Sequence, residues 1–460
     1  MSARTTVGPT GKEITGATTL VGPPGAGKLI ASRAMTSARS AGLTGMTIRQ
    51  MLRTDGPVLL PGDEGYDDHR KALNPALDPR PAVVVRAAGT ADVRRAVLAA
   101  RQHGLPFAVQ ATGHGTHVPH DGALLLRTGD MASVLVDPDR RVARVGPGAR
   151  WGELLAAAAP FGLAALSGSS PDVGVVGYTL GGGLGWLARR HGLAADSVLR
   201  AQVVTADGEL TTVSADRDPD LFWALRGGGG SFGVVTALEF RLYPVTRVYA
   251  GAVTFARERA AETIAFYRRW IERIPDSLST ALLLTRDGSL VVKAMYAGDA
   301  DRGRALLEPL WTVAGPAVAD DMRVVDYARA AMGGTFARTF DQVRTLDDDL
   351  VAALVAEPDA TVEIRHWGGR IARDQGAAAH RDAPLSIVLD TVPSPATAAA
   401  LSRCGLGSSF LNFLPDPTRT ASAFTAENWA ALRRIKATYD PANVFGAGLA
   451  VPPAVTAVSA

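Results

Sequence analysis

The chain has one cysteine, Cys404, in 460 residues, so it can form neither an intramolecular disulfide nor a cluster of thiolate metal ligands. This cysteine usage is typical of a reducing cytoplasm, which is the compartment we expect. No apolar run approaches the roughly 18 residues that a membrane span requires. The N-terminus also lacks the basic and apolar segments of a secretory signal. We therefore expect a soluble protein with no membrane partner.

Charge of one sign is not in excess, since 48 basic and 45 acidic side chains give a formal net charge of +3. No block of lysine and arginine forms the basic patch of a nucleic-acid-binding protein, so no such partner is expected. Apolar residues make up 47% of the chain, which is typical of a globular protein. A chain of this length predicts two domains rather than one core.

Residues 1–45 are rich in glycine, alanine, serine and threonine and have little periodicity, so we predict a poorly ordered extension. Within this extension, residues 22–28 are superficially similar to a phosphate-binding P-loop. The next residue is Leu29 rather than the Ser or Thr that binds magnesium, and no strand precedes the segment. The sequence therefore disfavours a nucleotide-hydrolase function.

From Pro81 onward the apolar residues follow strand and helix periods. Residues 82–85 and 106–109 predict buried strands, and residues 90–104 predict a helix with Thr90 as its N-cap. Such a strand–helix–strand unit favours parallel pairing. Further helices are predicted at 150–159 and 218–226, a hairpin at 203–213 that turns at Asp207 and Gly208, and a strand at 234–243.

After Pro244 the pattern changes to long helices that alternate with strands, which predicts an antiparallel sheet covered by helices. The predicted helices are 257–273, 299–312 and 341–356, and the predicted strands are near 249–254, 281–285, 289–296, 360–366 and 384–390. A final amphipathic helix is predicted at about 426–438.

Four segments carry the chemical signal. They are residues 110–115 (QATGHG), 170–186 (SPDVGVVGYTLGGGLGW), 220–235 (DLFWALRGGGGSFGVV) and 439–445 (YDPANVF). Glycines let backbone N–H groups approach a diphosphate closely and adopt positive φ angles without strain. One glycine cluster is weak evidence for a cofactor site, whereas four segments in this order are strong evidence.

Together the four segments resemble the berberine-bridge-enzyme-like branch of the vanillyl-alcohol-oxidase flavoprotein family, over about residues 60–450. The resemblance implies an α+β fold. In it, a two-part PCMH-type FAD-binding domain, made of the N-terminal half plus the C-terminal tail, holds an inserted substrate domain of antiparallel sheet covered by helices. We place the FAD-binding domain at 46–245, the substrate domain at 246–420 and the returning tail at 421–460.

The resemblance implies FAD attached covalently through His114. The other residues that it implies at the cofactor are Gln110, Ala111, Thr112, Gly113, Gly115, Ser170, Pro171, Val173, Gly174, Gly177, Tyr178, Gly181, Gly182, Gly183, Val235, Asn412 and Asn443. Many relatives have a second attachment through a cysteine where this chain has Ser170, which cannot form a thioether. A single covalent link is therefore expected. Val173 matches the small gate residue of oxygen-reactive relatives, which favours dioxygen as the acceptor.

The catalytic base is not identifiable from the sequence, because the tyrosines of sugar and polyketide oxidases are missing. Either the substrate needs no deprotonation, as for a neutral amine, or another group acts as the base. Leu184 and the aromatic pair Phe410 and Phe413 stand at their positions. The acidic residue of the plant enzymes falls near Ala372 or Arg373. The catalytic candidates are Tyr178, as a donor to the reduced flavin or as a base, His366, as a base, and Asn412, as a flavin or substrate contact. A structural role for His366 is an equally good interpretation.

His114, His117 and His120 recur at every third residue, but no acidic partners accompany them in sequence, so no metal site is predicted. His117 and His120 are expected to face solvent or the substrate side of the loop. The segment from His380 to Asp382 is expected to form an ion-paired corner beside the sheet, and Asp196 to serve as a helix cap or a turn residue.

The expected function is an FAD-dependent oxidase of a small aromatic or polycyclic metabolite, in secondary-metabolite tailoring. Leu184, Trp367, Phe410 and Phe413 are expected around the substrate. The reaction would transfer a hydride from a C–H next to oxygen or nitrogen to the flavin, which dioxygen then reoxidises. Two alternatives stay open: a flavin dehydrogenase with another acceptor, and a non-redox cyclase or rearrangement catalyst that retains the flavoprotein fold.

Overall fold

The computed structural model describes residues 45–373 and 376–455. The P-loop-like segment and nearly all of the predicted extension lie outside the described residues. The strands are β1 (Val58–Leu59), β2 (Val83–Arg86), β3 (Phe107–Gln110), β4 (Leu124–Arg127), β5 (Val134–Asp137), β6 (Val142–Val145), β7 (Val198–Val204), β8 (Leu210–Ser214), β9 (Val234–Arg241), β10 (Arg247–Ala256), β11 (Leu278–Leu284), β12 (Ser289–Tyr296), β13 (Ala317–Asp320), β14 (Arg323–Asp326), β15 (Thr339–Val343), β16 (Val362–His366) and β17 (Leu385–Leu389).

The α-helices are α1 (Gly45–Leu52), α2 (Tyr66–Arg70), α3 (Thr90–His103), α4 (Trp151–Ala158), α5 (Val175–Leu180), α6 (Ala188–His191), α7 (Pro219–Leu225), α8 (Ala260–Trp270), α9 (Ala300–Ala314), α10 (Asp348–Ala356), α11 (Pro395–Cys404) and α12 (Ala426–Tyr439). Short 3-10 helices span Ala159–Phe161, Ala194–Ser197, Arg257–Arg259, Tyr327–Arg329, Gly369–Arg373, Leu411–Phe413 and Pro417–Ala423.

The strands form three sheets in the described part of the chain. A four-stranded sheet has the order β1-β2-β4-β3, and a five-stranded antiparallel sheet has the order β5-β6-β9-β7-β8. The eight-stranded sheet has the order β13-β10-β12-β11-β16-β17-β15, with β14 paired to β10. Its pairings are all antiparallel. These mixed layers confirm the predicted α+β class.

The eight-stranded sheet has two different faces, because successive side chains of a strand point to opposite sides. Leu282 of β11 belongs to the core that α8, α9 and α10 cover, together with Leu307 and Leu354. Ala281 and Leu283 of the same strand belong instead to the core that includes the five-stranded sheet. One face therefore lies under helices, and the other lies toward the half that carries the glycine segments.

The predicted helix at 341–356 is wrong over its first part. Phe340 and Gln342 pair with β17 as part of β15, and the helix begins only at Asp348. Asp347 caps that helix, since its carboxylate accepts a 2.7 Å hydrogen bond from the Leu350 N–H. Buried Gln342 follows the two-residue period of a strand, and this tertiary pairing decides the conformation.

The prediction of Thr90 as an N-cap is also wrong. Gly89 occupies the cap position, and no side chain caps the helix there. The nearby Asp92 carboxylate instead accepts hydrogen bonds from the backbone N–H groups of Asp55, Gly56 and Ala88. The strands on either side of α3 are parallel as predicted, but β4 lies between β2 and β3 in the sheet.

Candidate functional site

The first glycine segment forms a tight loop directly after β3. The Gln110 amide donates a 2.8 Å hydrogen bond to the Lys71 carbonyl, and the Thr116 hydroxyl lies 3.4 Å from the Gln110 side-chain oxygen. Gly113 has a φ of 87°, and a Cβ there would lie 2.8 Å from the Gln110 amide nitrogen. Gln110 therefore holds the loop, and glycine is required at position 113.

His114 is half-buried at the tip of this loop, with Nδ1 2.9 Å from the Thr112 hydroxyl oxygen. Burial lowers the pKa of the imidazole below its ordinary value, while the Asp172 carboxylate acts in the opposite direction. The neutral form of His114 therefore predominates at neutral pH. An unprotonated ring nitrogen is the form that can bond to an electrophilic carbon.

The second glycine segment packs against the first. A Cβ at Gly174 would lie 3.6 Å from the Ala111 Cβ and 3.7 Å from the Thr112 side chain. The Gly152 N–H donates to the Pro171 carbonyl at 2.8 Å, which fixes the loop that contains Ser170. The structure thus brings His114 and the loop that contains Ser170 and Val173 to one place.

The glycines in these two segments have two different roles. Gly182 and Gly183 have φ angles of 108° and 77°, and Cβ atoms there would lie 2.7 Å from the Phe410 ring and 2.5 Å from the Tyr178 ring. These two are needed for close packing. By contrast, a Cβ placed at Gly115 or Gly177 would meet no atom within 4 Å from the other described residues, local chain neighbours aside. Open backbone of this kind is suited to receiving a cofactor.

Tyr178 lies in α5, with its ring edge-on to Trp151 at 5.4 Å between centroids. Its hydroxyl is buried without a hydrogen-bond partner among the described residues. Burial raises the pKa of the Tyr178 phenol far above its usual range. A protonated, unpartnered hydroxyl fits the predicted donor role and does not fit the role of a base.

Asn412 lies in the C-terminal part of the chain and holds the second glycine segment. Its side-chain oxygen accepts a 2.9 Å hydrogen bond from the Gly183 N–H, and its amide donates to the Tyr178 carbonyl at 3.0 Å. The third glycine segment contacts the second one as well, since the Gly229 N–H donates to the Leu180 carbonyl at 2.9 Å. Both hydrogen-bonding ends of Asn412 are used, which makes it a positioning residue.

The returning tail is anchored by an ion pair that the sequence did not reveal. The Lys436 ammonium lies 2.6 Å from the Asp440 carboxylate and 2.7 Å from the Ser231 carbonyl, and both side chains are fully buried. The same carboxylate accepts hydrogen bonds from the N–H groups of Val444 and Phe445. The spacing of four residues on α12 is the signal that identifies such a pair.

Val235 and Asn443, the two remaining cofactor candidates, make no described contact with the His114 loop. The Val235 side chain is packed in the core of the five-stranded sheet. Asn443 is exposed and has a φ of 53°, which suits a turn after α12. Neither position brings a side chain toward His114 in the contacts that the described residues make.

His366 is buried at the end of β16, and its Nε2 lies 2.7 Å from the Arg189 guanidinium. Burial and the Arg189 charge hold the pKa of His366 well below its usual range. Arg189 also donates to the Leu278 carbonyl at 2.9 Å. This bonded, buried arrangement favours the structural interpretation of His366.

The structure corrects the expected apolar substrate wall. Trp367 and Phe410 are 0% and 1% exposed and pack edge-on with centroids 5.4 Å apart, so neither offers surface to a ligand. The Trp367 indole N–H also donates to the Ser386 hydroxyl at 2.9 Å. Leu184 is buried as well, and only Phe413 of the expected set stays half-exposed.

A polar cluster that the sequence did not reveal lies on the face of the eight-stranded sheet toward the glycine segments. The Glu363 carboxylate lies 2.8 Å from the Arg365 guanidinium and accepts a 2.8 Å hydrogen bond from the Thr335 hydroxyl. The Arg365 guanidinium stacks over the Trp186 ring at 5.0 Å, and the Trp186 indole donates to the Ser169 hydroxyl at 3.1 Å. This cluster connects the sheet to the residue that precedes Ser170.

The predicted ion-paired corner is present. Arg381 pairs with buried Asp196, and Asp382 pairs with Arg344 at the surface. Asp196 also accepts a 2.7 Å hydrogen bond from the Leu193 N–H, which fits its predicted local role. In residues 45–373 and 376–455, no three acidic, histidine or cysteine side chains are arranged to hold a metal ion. No helix in that part of the chain is long and apolar enough to cross a membrane.

Comparison with known proteins yields two family models. Residues 81–214 match a model described as an FAD binding domain, and residues 409–452 match one described as berberine and berberine like. Among curated relatives, the (R)-6-hydroxynicotine oxidase of Paenarthrobacter nicotinovorans is 39% identical over 208 residues, which is 45% of each chain. The FAD-linked oxidoreductase YgaK of Bacillus subtilis is 27% identical over 86% of this chain and 97% of its own length.

Solved structures extend the likeness to most of the fold. The 6-hydroxy-D-nicotine oxidase of Arthrobacter nicotinovorans superposes with a TM-score of 0.79 at 27% identity, over 88% of this chain and 99% of that one. The glucooligosaccharide oxidase of Acremonium strictum, whose structure carries a 6-S-cysteinyl, 8α-N1-histidyl FAD, superposes with a TM-score of 0.78 at 26% identity, over 89% of this chain.

Proposed function

The chain is a PCMH-type, berberine-bridge-enzyme-like FAD-linked oxidoreductase, and on that premise we propose that it is an oxidase of a small aromatic metabolite. We propose further that FAD is attached through His114 alone. The observation that carries the proposal is the position of a neutral, half-buried imidazole where the first two glycine segments meet. Ser170 offers no thiol for a second link.

The residues around His114 fit an FAD. Gly115 and Gly177 leave open backbone beside the imidazole, and the segment 110–115 is held by Gln110. The buried hydroxyl of Tyr178 has no partner among the described residues and is available to a carbonyl or ring nitrogen of a flavin. A bound FAD supplies two-electron oxidation of a substrate C–H bond, while the protein orients the substrate and excludes water.

The substrate class is inferred from what borders the polar cluster. Phe336 is 61% exposed on the loop that includes Thr335, and half-buried Phe413 stacks on Phe340 at 5.5 Å with an interplanar angle of 5°. Aromatic surface on this side of the sheet favours a planar apolar body in the substrate.

Dioxygen is proposed as the electron acceptor because Val173 is a small residue and the family resemblance places it at the gate position. Val173 is half-buried, and its carbonyl accepts a 3.0 Å hydrogen bond from the Trp151 N–H, so its backbone is fixed. A Val173→Leu variant should reoxidise at least tenfold more slowly in air-saturated buffer than the wild type. Equal rates would remove the support for an oxidase over a dehydrogenase.

Covalent attachment is tested by acid precipitation and peptide mass spectrometry. The wild type should keep its yellow colour in the pellet, and the tryptic fragment that ends at Arg127 should carry the mass of FAD. His114→Ala should release the flavin, whereas His117→Ala, a control three residues along the same loop, should retain it. A colourless wild type with an unmodified fragment would refute the attachment.

Redox turnover is tested by anaerobic mixing with three probes: (R)-6-hydroxynicotine as an aromatic amine, 4-methoxybenzyl alcohol as an aromatic alcohol, and cellobiose as a sugar. Bleaching of the visible flavin band by an aromatic probe but not by cellobiose is the expected result. Bleaching by cellobiose alone would overturn the aromatic assignment. An aromatic probe converted to product with the band unchanged would favour a non-redox catalyst.

A further inference from the structure

Lys293 lies on the face of the eight-stranded sheet that looks toward the glycine segments. In β12, Leu290 and Val292 pack beneath the helices, whereas Val291 and Met295 pack toward the other half of the protein. Because side chains alternate along a strand, Lys293 points to the same side as Val291 and Met295. Its side chain is half-buried there.

The strand register places Lys293 close to the polar cluster. Ala281 of β11 is paired with Lys293 on one side and with Arg365 on the other. The methyl group of Ala281 separates the two long cationic side chains. The next row of the same face carries Glu363, which is opposite Leu283. Lys293, Arg365 and Glu363 therefore occupy neighbouring positions on one face of the sheet.

The partners of the three charged groups differ. Glu363 and Arg365 are paired with each other at 2.8 Å, and Glu363 also accepts a hydrogen bond from Thr335. Among the described residues, Lys293 has no ion-pair partner, and its Nζ reaches only the Gly333 carbonyl at 3.5 Å. Of these three charged groups, Lys293 alone has no close partner among the described residues.

Lys293 is also adjacent to the cofactor segment. A Cβ at Gly333 would lie 3.7 Å from the Lys293 Nζ, and one at Gly334 would lie 3.8 Å from the Ser169 Cβ. Ser169 immediately precedes Ser170, which stands in the loop that packs against the His114 segment. A substrate held between that loop and the sheet would meet the Lys293 amine.

The other titratable groups near this place are unsuited to accept a proton. The Tyr178 hydroxyl is buried and protonated, and the His366 ring is bonded to Arg189. The Glu363 carboxylate is already engaged by Arg365. Proton abstraction needs a base within reach of the substrate, and Lys293 Nζ has no close charged partner among the described residues.

Resting on the proposed function, we propose that Lys293 is the proton acceptor for substrate oxidation. The substrate is a secondary or primary alcohol or amine, and its O–H or N–H proton passes to the neutral Lys293 Nζ, which becomes an ammonium group. The electron pair of the adjacent C–H bond leaves with its hydrogen to the flavin, so that a C=O or C=N bond forms. The substrate loses two electrons in this step; a bound FAD would be their acceptor, and dioxygen, as the final oxidant, would be reduced to hydrogen peroxide.

The burial of Lys293 and the two charges beside it support this role. Burial lowers the pKa of the Lys293 amine, the Glu363 carboxylate acts to raise it, and the Arg365 charge acts to lower it. The facing residues of β11, Ser279 and Ala281, do not titrate, and residues 330–336 contain no titratable side chain. A lysine with a lowered pKa is a recognised general base. The rate should therefore rise with pH as Lys293 loses its proton.

The first test does not need turnover, because the chain contains only five lysines. The flavin-loaded protein labelled with 13C at lysine Cε should show one resonance that is missing in Lys293→Met. That resonance should titrate below the ordinary 10.5 of lysine. A midpoint at or above 10.5 would overturn the proposal, whether or not a substrate is known.

The second test measures anaerobic bleaching by the probe that reduces the wild type fastest. Lys293→Met should slow bleaching at least 100-fold with the flavin still bound. Lys293→Arg should be equally slow, because a guanidinium keeps its proton. Bleaching restored to the wild-type rate in Lys293→Arg would overturn the proposal, because it would show that only the positive charge is needed. Bleaching within threefold of the wild-type rate in Lys293→Met would also exclude a proton acceptor at this position.

Arg302→Met, a control on the exposed surface of α9, should bleach at the wild-type rate. A wild type without flavin would refute the proposed function, whereas normal flavin with unaffected lysine variants would refute only this inference.

Discussion

Asn412 and Gly183 are joined by a 2.9 Å hydrogen bond across 229 residues of sequence. The Asn412 amide also donates to the Tyr178 carbonyl, so one side chain satisfies two backbone groups of the second glycine segment. A backbone group left unsatisfied after burial costs about 1–3 kcal/mol. This contact therefore ties the C-terminal part of the chain to the cofactor segment.

Asn412→Ala should lower the free energy of unfolding by about 3 kcal/mol, because both backbone groups lose their partner. Asn412→Asp keeps an acceptor for the Gly183 N–H but loses the donor to Tyr178, so we expect a smaller loss. Urea denaturation of both variants, with flavin content measured in parallel, checks the prediction. An alanine variant as stable as the wild type would show that water replaces the side chain.

Thr112→Val should slow covalent flavin incorporation about tenfold, which corresponds to about 1.4 kcal/mol for a lost hydrogen bond. The substitution keeps the shape of the side chain but removes the hydroxyl that lies 2.9 Å from His114 Nδ1. Thr112→Ser keeps the hydroxyl and serves as the control. Flavin fluorescence of the denatured protein, followed over time after FAD is added to apoprotein, gives the rate. Equal rates in the three proteins would mean that Thr112 does not orient the imidazole.

Arg381→Met should destabilise the protein by about 3 kcal/mol, because it leaves the Asp196 carboxylate buried without its main partner. The two side chains are 8% and 4% exposed, and Arg226, at 3.9 Å from Asp196, compensates only in part. Arg344→Met breaks the neighbouring pair with Asp382, whose side chains are 58% and 62% exposed, and should cost less than about 1 kcal/mol. Thermal unfolding of both variants separates the two cases. Similar losses in both would contradict the assignment of burial as the cause.

His191→Phe should make the protein less sensitive to acid. The His191 ring stacks on Tyr243 at 4.1 Å, its Nε2 is buried without a hydrogen-bond partner in the described part of the chain, and burial lowers its pKa to about 4. The unfolded chain takes up a proton near pH 6.5, so stability falls as the pH drops from about 6.5 toward 4. The fall attributable to His191 at pH 5 is roughly 1 kcal/mol once solvent screening is allowed for.

This pH effect is checked by urea denaturation at pH 7.5 and at pH 5. Phenylalanine retains the stacking surface and removes the titrating nitrogen, so the variant should lose less stability between the two pH values than the wild type. Burial also lowers the pKa values of His69, His114, His117, His120 and His366, which should produce the remaining fall. An unchanged difference between the two pH values would show that His191 is charged in the folded protein.

The sequence was sufficient for features that depend on local chemistry. Glycines at fixed places, an imidazole after Gly113 and periodic apolar residues identify the flavoprotein class and most strands and helices. The error at 341–356 arose because Phe340 and Val343 are spaced as on one face of a helix, and the strand conformation depends on their pairing with β17. The Thr90 cap failed for a related reason, since the nearby Asp92 carboxylate binds backbone groups that lie more than 30 residues away in sequence.

Only the tertiary structure decided which side chains share the substrate side. Lys293, Arg365 and Glu363 come together because three strands pair in one register, and a slip of one residue would turn each of them toward the helices. Trp367 and Phe410 appeared suited to a pocket by composition alone, yet they pack on each other and are closed to ligands. Cofactor recognition can be predicted from sequence because it depends on contiguous segments. The proton acceptor cannot, because its position depends on strand register and on which neighbouring charges are already paired.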